Sequence, residues 1–313
     1  VGNLNLYNPV YGSTVGPLSE VDFLSEKGVT TRVGAYLQEQ MKINDKWVVL
    51  LGGRQDWARQ RTSPYFGATD YESESDKAFT GRAGLVYLAD NGLAPYFSYS
   101  ESFEPQSGQN ELGKRFKPTT GKQYEIGVRY QPKGSDLLLS AALYELTQQN
   151  VVTSDASVFP TLSRQVGEVR SRGLELEAKG KISRNLSVIA AYAYTDAETT
   201  RSLVPDEVGN RTANVPRNQV SIWGDYSFGA YGLPGLRAGL GARYLSSTRD
   251  GSTNSPVIPG YTLFDALVAY EDGEWRYSLN VKNLTDREFL NCSFGSCTYG
   301  EPRKIIAAVT KRW

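Results

Sequence analysis

Apolar and polar side chains alternate with a period of two along most of this chain. Between about Val29 and Ile43, odd positions carry Val29, Val33, Ala35, Leu37, Met41 and Ile43, with Glu39 the exception, while even positions carry Arg32, Tyr36, Gln38, Gln40 and Lys42. Trp47, Val49, Leu51 and Trp57 likewise oppose Arg54 and Asp56, and Phe79, Ala83, Leu85 and Tyr87 oppose Thr80, Arg82 and Gly84. The theme recurs with Tyr124, Ile126, Val128 and Tyr130 against Gln123, Glu125, Gly127 and Arg129, and with Leu174, Leu176 and Ala178 against Glu175, Glu177 and Lys179. Segments near Leu236, Trp275 and Ile305 repeat it. Such alternation puts one set on each face of a β-strand. Short polar turns recur at Asn44 to Lys46, Asp90 to Gly92, Pro132 to Ser135, Ser183 to Asn185, Gly229 to Gly235 and Glu271 to Glu274. The connections between them are longer, about 12 to 24 residues, and the whole reads as about thirteen strands of roughly ten residues each. All tight turns then fall at one end. This predicts an all-β fold, a transmembrane antiparallel β-barrel with its apolar set in lipid and its polar set in the lumen.

Composition sharpens that picture. Mean hydropathy is only −0.42, and no apolar run approaches the roughly 18 residues of a spanning helix. A barrel strand needs apolar side chains on its lipid face alone, so both facts fit. The twenty Tyr and five Trp suit interfacial girdles. Formal charge is zero, which favours neither nucleic acid nor an anionic surface as partner. There is no histidine, which removes Ser-His-Asp and Cys-His catalysis and most zinc sites; no metal site or enzyme is expected. Cys292 and Cys297 sit in a Ser- and Gly-rich loop, and read either as a small disulfide ring or as two free thiols.

Residues 1–28 are polar and read as a long external loop, leaving 29–313 as strands and loops; no signal peptide opens the chain. The last segment, about Arg303 to Trp313, ends flush on an aromatic residue, a feature of outer-membrane assembly. A chain that starts in an external loop and ends at the periplasmic rim has an odd strand count, whereas bacterial barrels close with an even one. Either upstream strands complete the sheet or the count is one off.

Several stretches resemble ferrichrome-type TonB-dependent siderophore receptors: Asn5 to Gly12, Leu51-Gly52-Gly53-Arg54-Gln55-Asp56-Trp57, Pro95 to Pro105, Gly121 to Val128, Arg172 to Ala178, and Asn283-Leu284-Thr285-Asp286-Arg287-Glu288-Phe289. They occur in family order over nearly the whole chain. The resemblance implies a barrel of about 22 strands around an N-terminal plug. Thirteen strands present would then correspond to the C-terminal part of that barrel, with the plug and first strands absent. It also implies a Cys292–Cys297 disulfide in the last external loop, location in a Gram-negative outer membrane, and active uptake of a ferric hydroxamate siderophore such as ferrichrome, driven by TonB acting on the plug. Another siderophore or small ligand, or a passive porin, is the alternative. Phage or bacteriocin attachment would be a secondary use of the same loops.

Iron in such a chelate is already fully coordinated, so it travels as cargo and no protein cofactor is expected. An aromatic, hydrogen-bonding cup would suffice. The candidates are Tyr299, Phe294, Phe289, Phe116, Phe103 and Tyr65, with Phe66 and Tyr71 behind them. Arg54, Asp56, Arg82, Glu125, Arg129, Glu175 and Glu177 are expected on the lumen wall, facing the plug.

Overall fold

A computed structural model describes residues 27–63, 72–108, 110, 114–155, 162–202, 205–249, 257–293 and 296–312. In chain order the strands are β1 Lys27–Ile43, β2 Trp47–Ser63, β3 Glu72–Tyr87, β4 Leu93–Glu104, β5 Thr119–Tyr130, β6 Leu138–Asp155, β7 Leu162–Lys181, β8 Leu186–Arg201, β9 Asn218–Ser227, β10 Leu236–Leu245, β11 Thr248–Arg249, β12 Val257–Ile258, β13 Tyr261–Asp272, β14 Trp275–Lys282, β15 Leu290–Ser293, β16 Ser296–Tyr299 and β17 Lys304–Lys311. Thirteen form one antiparallel meander, β1 through β10 followed by β13, β14 and β17. β11–β12 and β15–β16 are separate hairpins within the long connections. The sheet's edges are β1 and β17.

Register settles the faces. One continuous cross-strand row runs Met41, Val49, Leu85, Phe97, Ile126, Leu143, Leu174, Tyr194. The row one residue away runs Gln40, Leu50, Gly84, Ser98, Glu125, Tyr144, Gly173, Thr195. A slip of one residue would exchange the two, so the register is strongly specified. The apolar row stays open: Ile126 is 61% and Leu143 56% exposed, and no second layer covers it among the described residues. In water such a continuous apolar face would be an aggregation liability. It is edged by Trp47 packed against Tyr87 with ring centres 4.8 Å apart, with Tyr130, Tyr270 and Trp275, at the turn end. At the loop end it stops at a charged ledge, where Glu145 pairs with Arg172, Arg170 with Glu198, and Asp196 with Arg217 at 2.9 Å.

The strands are longer than the ten or so residues expected from the apolar pattern; β6 has 18 residues and β7 has 20. Their outer ends lose the apolar alternation yet stay paired, Val151 with Val166 and Thr153 with Arg164. Backbone hydrogen bonding needs no apolar alternation, so the pattern marks only the part of each strand inside the apolar band. Residues 27 and 28, grouped with the first loop by sequence, belong to β1; residues 1–26 lie outside the described part.

Two tight turns are tied together. Lys46 Nζ donates to Asp90 Oδ2 at 2.9 Å, and the Leu88 N–H donates to the Lys46 carbonyl at 2.6 Å. The hydrogen bond and charge of Lys46 hold the Asp90 carboxyl below its ordinary range, and Asp90 raises the ammonium of Lys46. A lowered carboxylate stabilises above its unfolded pKa and ceases to as pH falls through the folded one; a raised ammonium stabilises below its unfolded pKa and ceases to as pH rises through the folded one. The tether therefore holds between those limits. Asp90→Asn should speed hydrogen exchange at the Leu88 amide relative to the parent at neutral pH, and the difference should vanish in acid below the ordinary aspartate range.

Candidate outer-mouth binding site and polar wall

The root of the last long connection is built by the Asn283 to Phe289 stretch. Asn283 is 2% exposed and takes a left-handed φ of 51°. Its Nδ2 donates to the carbonyls of Arg287 (3.0 Å) and Glu301 (3.2 Å), and its Oδ1 accepts the Arg287 N–H at 2.8 Å. Asp265 accepts the Asn283 N–H at 3.0 Å and the Arg243 guanidinium at 2.9 and 3.2 Å. Asp286 accepts the Arg303 N–H at 2.8 Å. These bonds draw both ends of the loop together and fix the direction in which β15–β16 projects. The motif by which the stretch resembles a family is thus a loop clamp.

Above the clamp, Cys292 and Cys297 are a cross-strand pair of β15–β16 joined by a disulfide with Cα atoms 4.0 Å apart. The ring closes only a short loop, so it stiffens the hairpin and adds little chain-entropy stabilisation. Phe289 stacks on Tyr261 at 4.2 Å and lies over Gly300, where even a Cβ would approach its ring to 2.0 Å. Between this hairpin, β11–β12 and the connection after β8 lies a cavity of about 460 Å³, lined among others by Pro216, Leu245, Ile258, Tyr261 and Cys292. Its size suits a small ligand, mostly apolar with a few polar contacts.

The sequence candidates fall in different places. Tyr299 is 78% exposed beside the disulfide, free to meet a ligand. Phe289 supports the hairpin through Tyr261. Phe116 is 4% exposed and packs within its own loop against Gly108. Phe103 lies near the end of β4, with the parity of Phe97 and Tyr99, on the apolar face. Tyr65, Phe66, Tyr71 and Phe294 fall outside the described residues, Phe294 between β15 and β16.

The polar wall is partly self-paired. Arg54 Nε donates to Asp56 at 2.8 and 2.9 Å, and Arg82 lies across Gly52. Glu125 accepts the Tyr96 hydroxyl at 2.7 Å and Gln123 Nε2 at 3.1 Å, while Arg129 stands 5.4 Å from the Tyr96 ring centre. Glu175 and Glu177 make no hydrogen bond or ion pair with described residues. Periodicity puts Arg237 and Arg243 opposite the apolar set, but alone it does not single out Tyr96, Tyr144, Trp223, Asp225 or Asp265, which share this face. Tyr96, Tyr144 and Trp223 each lie over a cross-strand glycine, Gly127, Gly173 and Gly241. Arg237 and Asp225 pair across β9 and β10. The signal was present as glycines on the polar face, but it becomes readable only once register is known.

Among the described residues, no group of three or more His, Cys, Asp or Glu side chains could hold a metal ion. Residues 2–284 match the family model described as TonB dependent receptor-like, beta-barrel. The ferrichrome outer membrane transporter/phage receptor of Escherichia coli K12 is 39% identical over 99% of the chain, which spans 42% of that protein. The ferrioxamine B receptor of Salmonella typhimurium strain SL1344 is 38% identical over 98%, with 44% of its length spanned. The siderophore receptor PiuA from Acinetobacter baumannii shares the fold with a TM-score of 0.77 at 24% identity, over 91% of this chain and 43% of its own. The chain thus spans less than half the length of these two curated relatives.

Proposed function

This chain belongs to the TonB-dependent receptor-like β-barrel family, and from that premise we propose that it builds barrel wall and outer mouth for active uptake of a ferric hydroxamate siderophore. The observation that carries the reading is the 39% identity to a ferrichrome transporter over 99% of the chain, disulfide hairpin included. The family is one of outer-membrane receptors. Its apolar face meets hydrocarbon, and its polar face lines the lumen.

Uptake of this kind makes and breaks no bonds in the protein. The chelate brings its own iron ligands, so the mouth must recognise a shell of hydroxamate oxygens and aliphatic linkers. Exposed Tyr299, on a hairpin stiffened by the disulfide and clamped by Asn283, offers a large apolar ring with one polar tip. Phe289, on its Tyr261 support, keeps that hairpin in place. On the lumen wall, Glu175 and Glu177 have acceptor capacity left over for a plug, whereas Arg54 and Asp56 are already satisfied by each other. TonB would act through the plug. Phage or bacteriocin attachment to the same loops would be secondary to uptake.

The receptor carrying this chain should quench its tryptophan fluorescence on titration with ferric ferrichrome, with Kd below about 1 μM, or roughly −8 kcal/mol. Tyr299→Ala should weaken binding by about tenfold, ~1.4 kcal/mol, and leave the folded yield unchanged. Absence of quenching at saturating ferrichrome and ferrioxamine would remove hydroxamates as the cargo.

A further inference from the structure

Five of the six turns at the turn end are short and polar, and two of them are stapled by Lys46 and Asp90. The connection between β9 and β10, read from sequence as a sixth short polar turn, is instead longer and carries exposed Tyr231 and Leu233. It folds as a 3₁₀ turn, Phe228–Tyr231, stopped by Gly232 at φ 76°, and then runs Leu233-Pro234-Gly235 into β10. The Leu236 N–H donates to the Leu233 carbonyl at 3.2 Å and the Glu271 N–H of β13 to the Gly235 carbonyl at 3.0 Å, so the segment is held by one bond of its own and one from the neighbouring strand. Gly235, at φ 95°, sits where a Cβ would come within 2.2 Å of the Glu271 carbonyl, so the bend requires glycine.

The bend sets the direction of the segment. Tyr226 is the last apolar-face residue of β9, paired with Leu186 and Ala238. The rings of Phe228 and Tyr231 gather on it at 5.0 and 6.3 Å, and lie 6.2 Å from each other. The turn is therefore folded towards the lipid side and continues the apolar face, rather than projecting along the strands. Yet Tyr231 is left 71% and Leu233 49% exposed, with no described protein over them.

We propose that this turn is a membrane-interface wedge, with Phe228, Tyr231 and Leu233 embedded among the glycerol and headgroup region of the periplasmic leaflet and phospholipid as their partner. Tyrosine suits that depth because its ring is apolar and its hydroxyl stays wet. The argument rests on the barrel's place in the membrane and is independent of its cargo. A wedge at one point of the rim fixes the barrel's depth and tilt there, where polar turns would slide freely.

The test uses the receptor carrying this chain, reconstituted in phosphatidylethanolamine–phosphatidylglycerol bilayers. Nitroxide labels are placed singly at Tyr231→Cys, at Leu233→Cys and, as reference, at Glu274→Cys in a polar turn of the same rim. The expected result is an oxygen-to-nickel-complex accessibility ratio several-fold higher at 231 and 233 than at 274. Equal, water-like ratios at all three would overturn the wedge and leave the turn as a docking surface for a periplasmic protein. Both label sites are exposed, so folding is preserved; unchanged heat-modifiable mobility verifies it.

Discussion

Gly173→Val should abolish recovery of the folded receptor. Gly173 faces Tyr144 and Thr195 across the two neighbouring strands. A Cβ there would lie 2.3 Å from the Tyr194 carbonyl and 2.6 Å from the Tyr144 ring. The ring could swing aside, but the carbonyl belongs to the ladder and cannot move without breaking it. Tyr144 is further held by its hydroxyl, 3.1 Å from Thr195 Oγ1. Overpacking against a fixed backbone falls in the rare class of changes costing more than about 4 kcal/mol. The heat-modifiable, fast-migrating band on a gel should disappear. Tyr144→Ala should not rescue it, because the carbonyl clash remains. Gly28→Val, at a site where an added Cβ would meet nothing within 4 Å, should be silent by the same assay.

Leu143→Arg should also be damaging, through the solvent rather than through packing. Leu143 is 56% exposed in the middle of the apolar row, between Ile126 and Leu174. In water, arginine at an open site like this would be harmless or helpful to solubility. In hydrocarbon it costs about 2–4 kcal/mol at the midplane and less towards the interfaces, and Leu143 stands one same-face position inside the Glu145–Arg172 ledge, so about 1–2 kcal/mol is expected here. Denaturant titration in bilayers should show a loss of that size. Ser140→Arg, on the opposite face of the same strand and opposite Glu177, should cost far less. A reversed order would mean that the faces have been assigned the wrong way round.

The faces and the meander were legible in the chain because they rest on local information. Period-two alternation at Tyr124 to Tyr130 or Leu174 to Ala178 needs no knowledge of neighbours, and tight turns dictate that consecutive strands pair. The lengths of β6 and β7 were hidden because paired extensions that lose the alternation beyond the apolar band resemble loops in sequence. Site residues fared unevenly for the same reason. The disulfide and the exposure of Tyr299 follow from a short local motif. That Phe116 would be enclosed by its own loop, or that Phe103 would share a face with Tyr99, depends on contacts and strand ends. The tyrosine–glycine pairs Tyr96–Gly127 and Tyr144–Gly173 depend on register across strands, and the Asp265–Asn283 clamp joins residues that are remote along the chain.

The central claim is that this wall belongs to an energised siderophore receptor rather than to an open pore. Uptake of iron-55 ferrichrome and ferrioxamine by iron-starved cells tests it most directly, comparing cells with and without the gene that encodes this chain, and with and without TonB. Accumulation that requires both the gene and TonB is the predicted result. Accumulation that persists undiminished without TonB, or that is indifferent to the gene for every ferric hydroxamate, would contradict it.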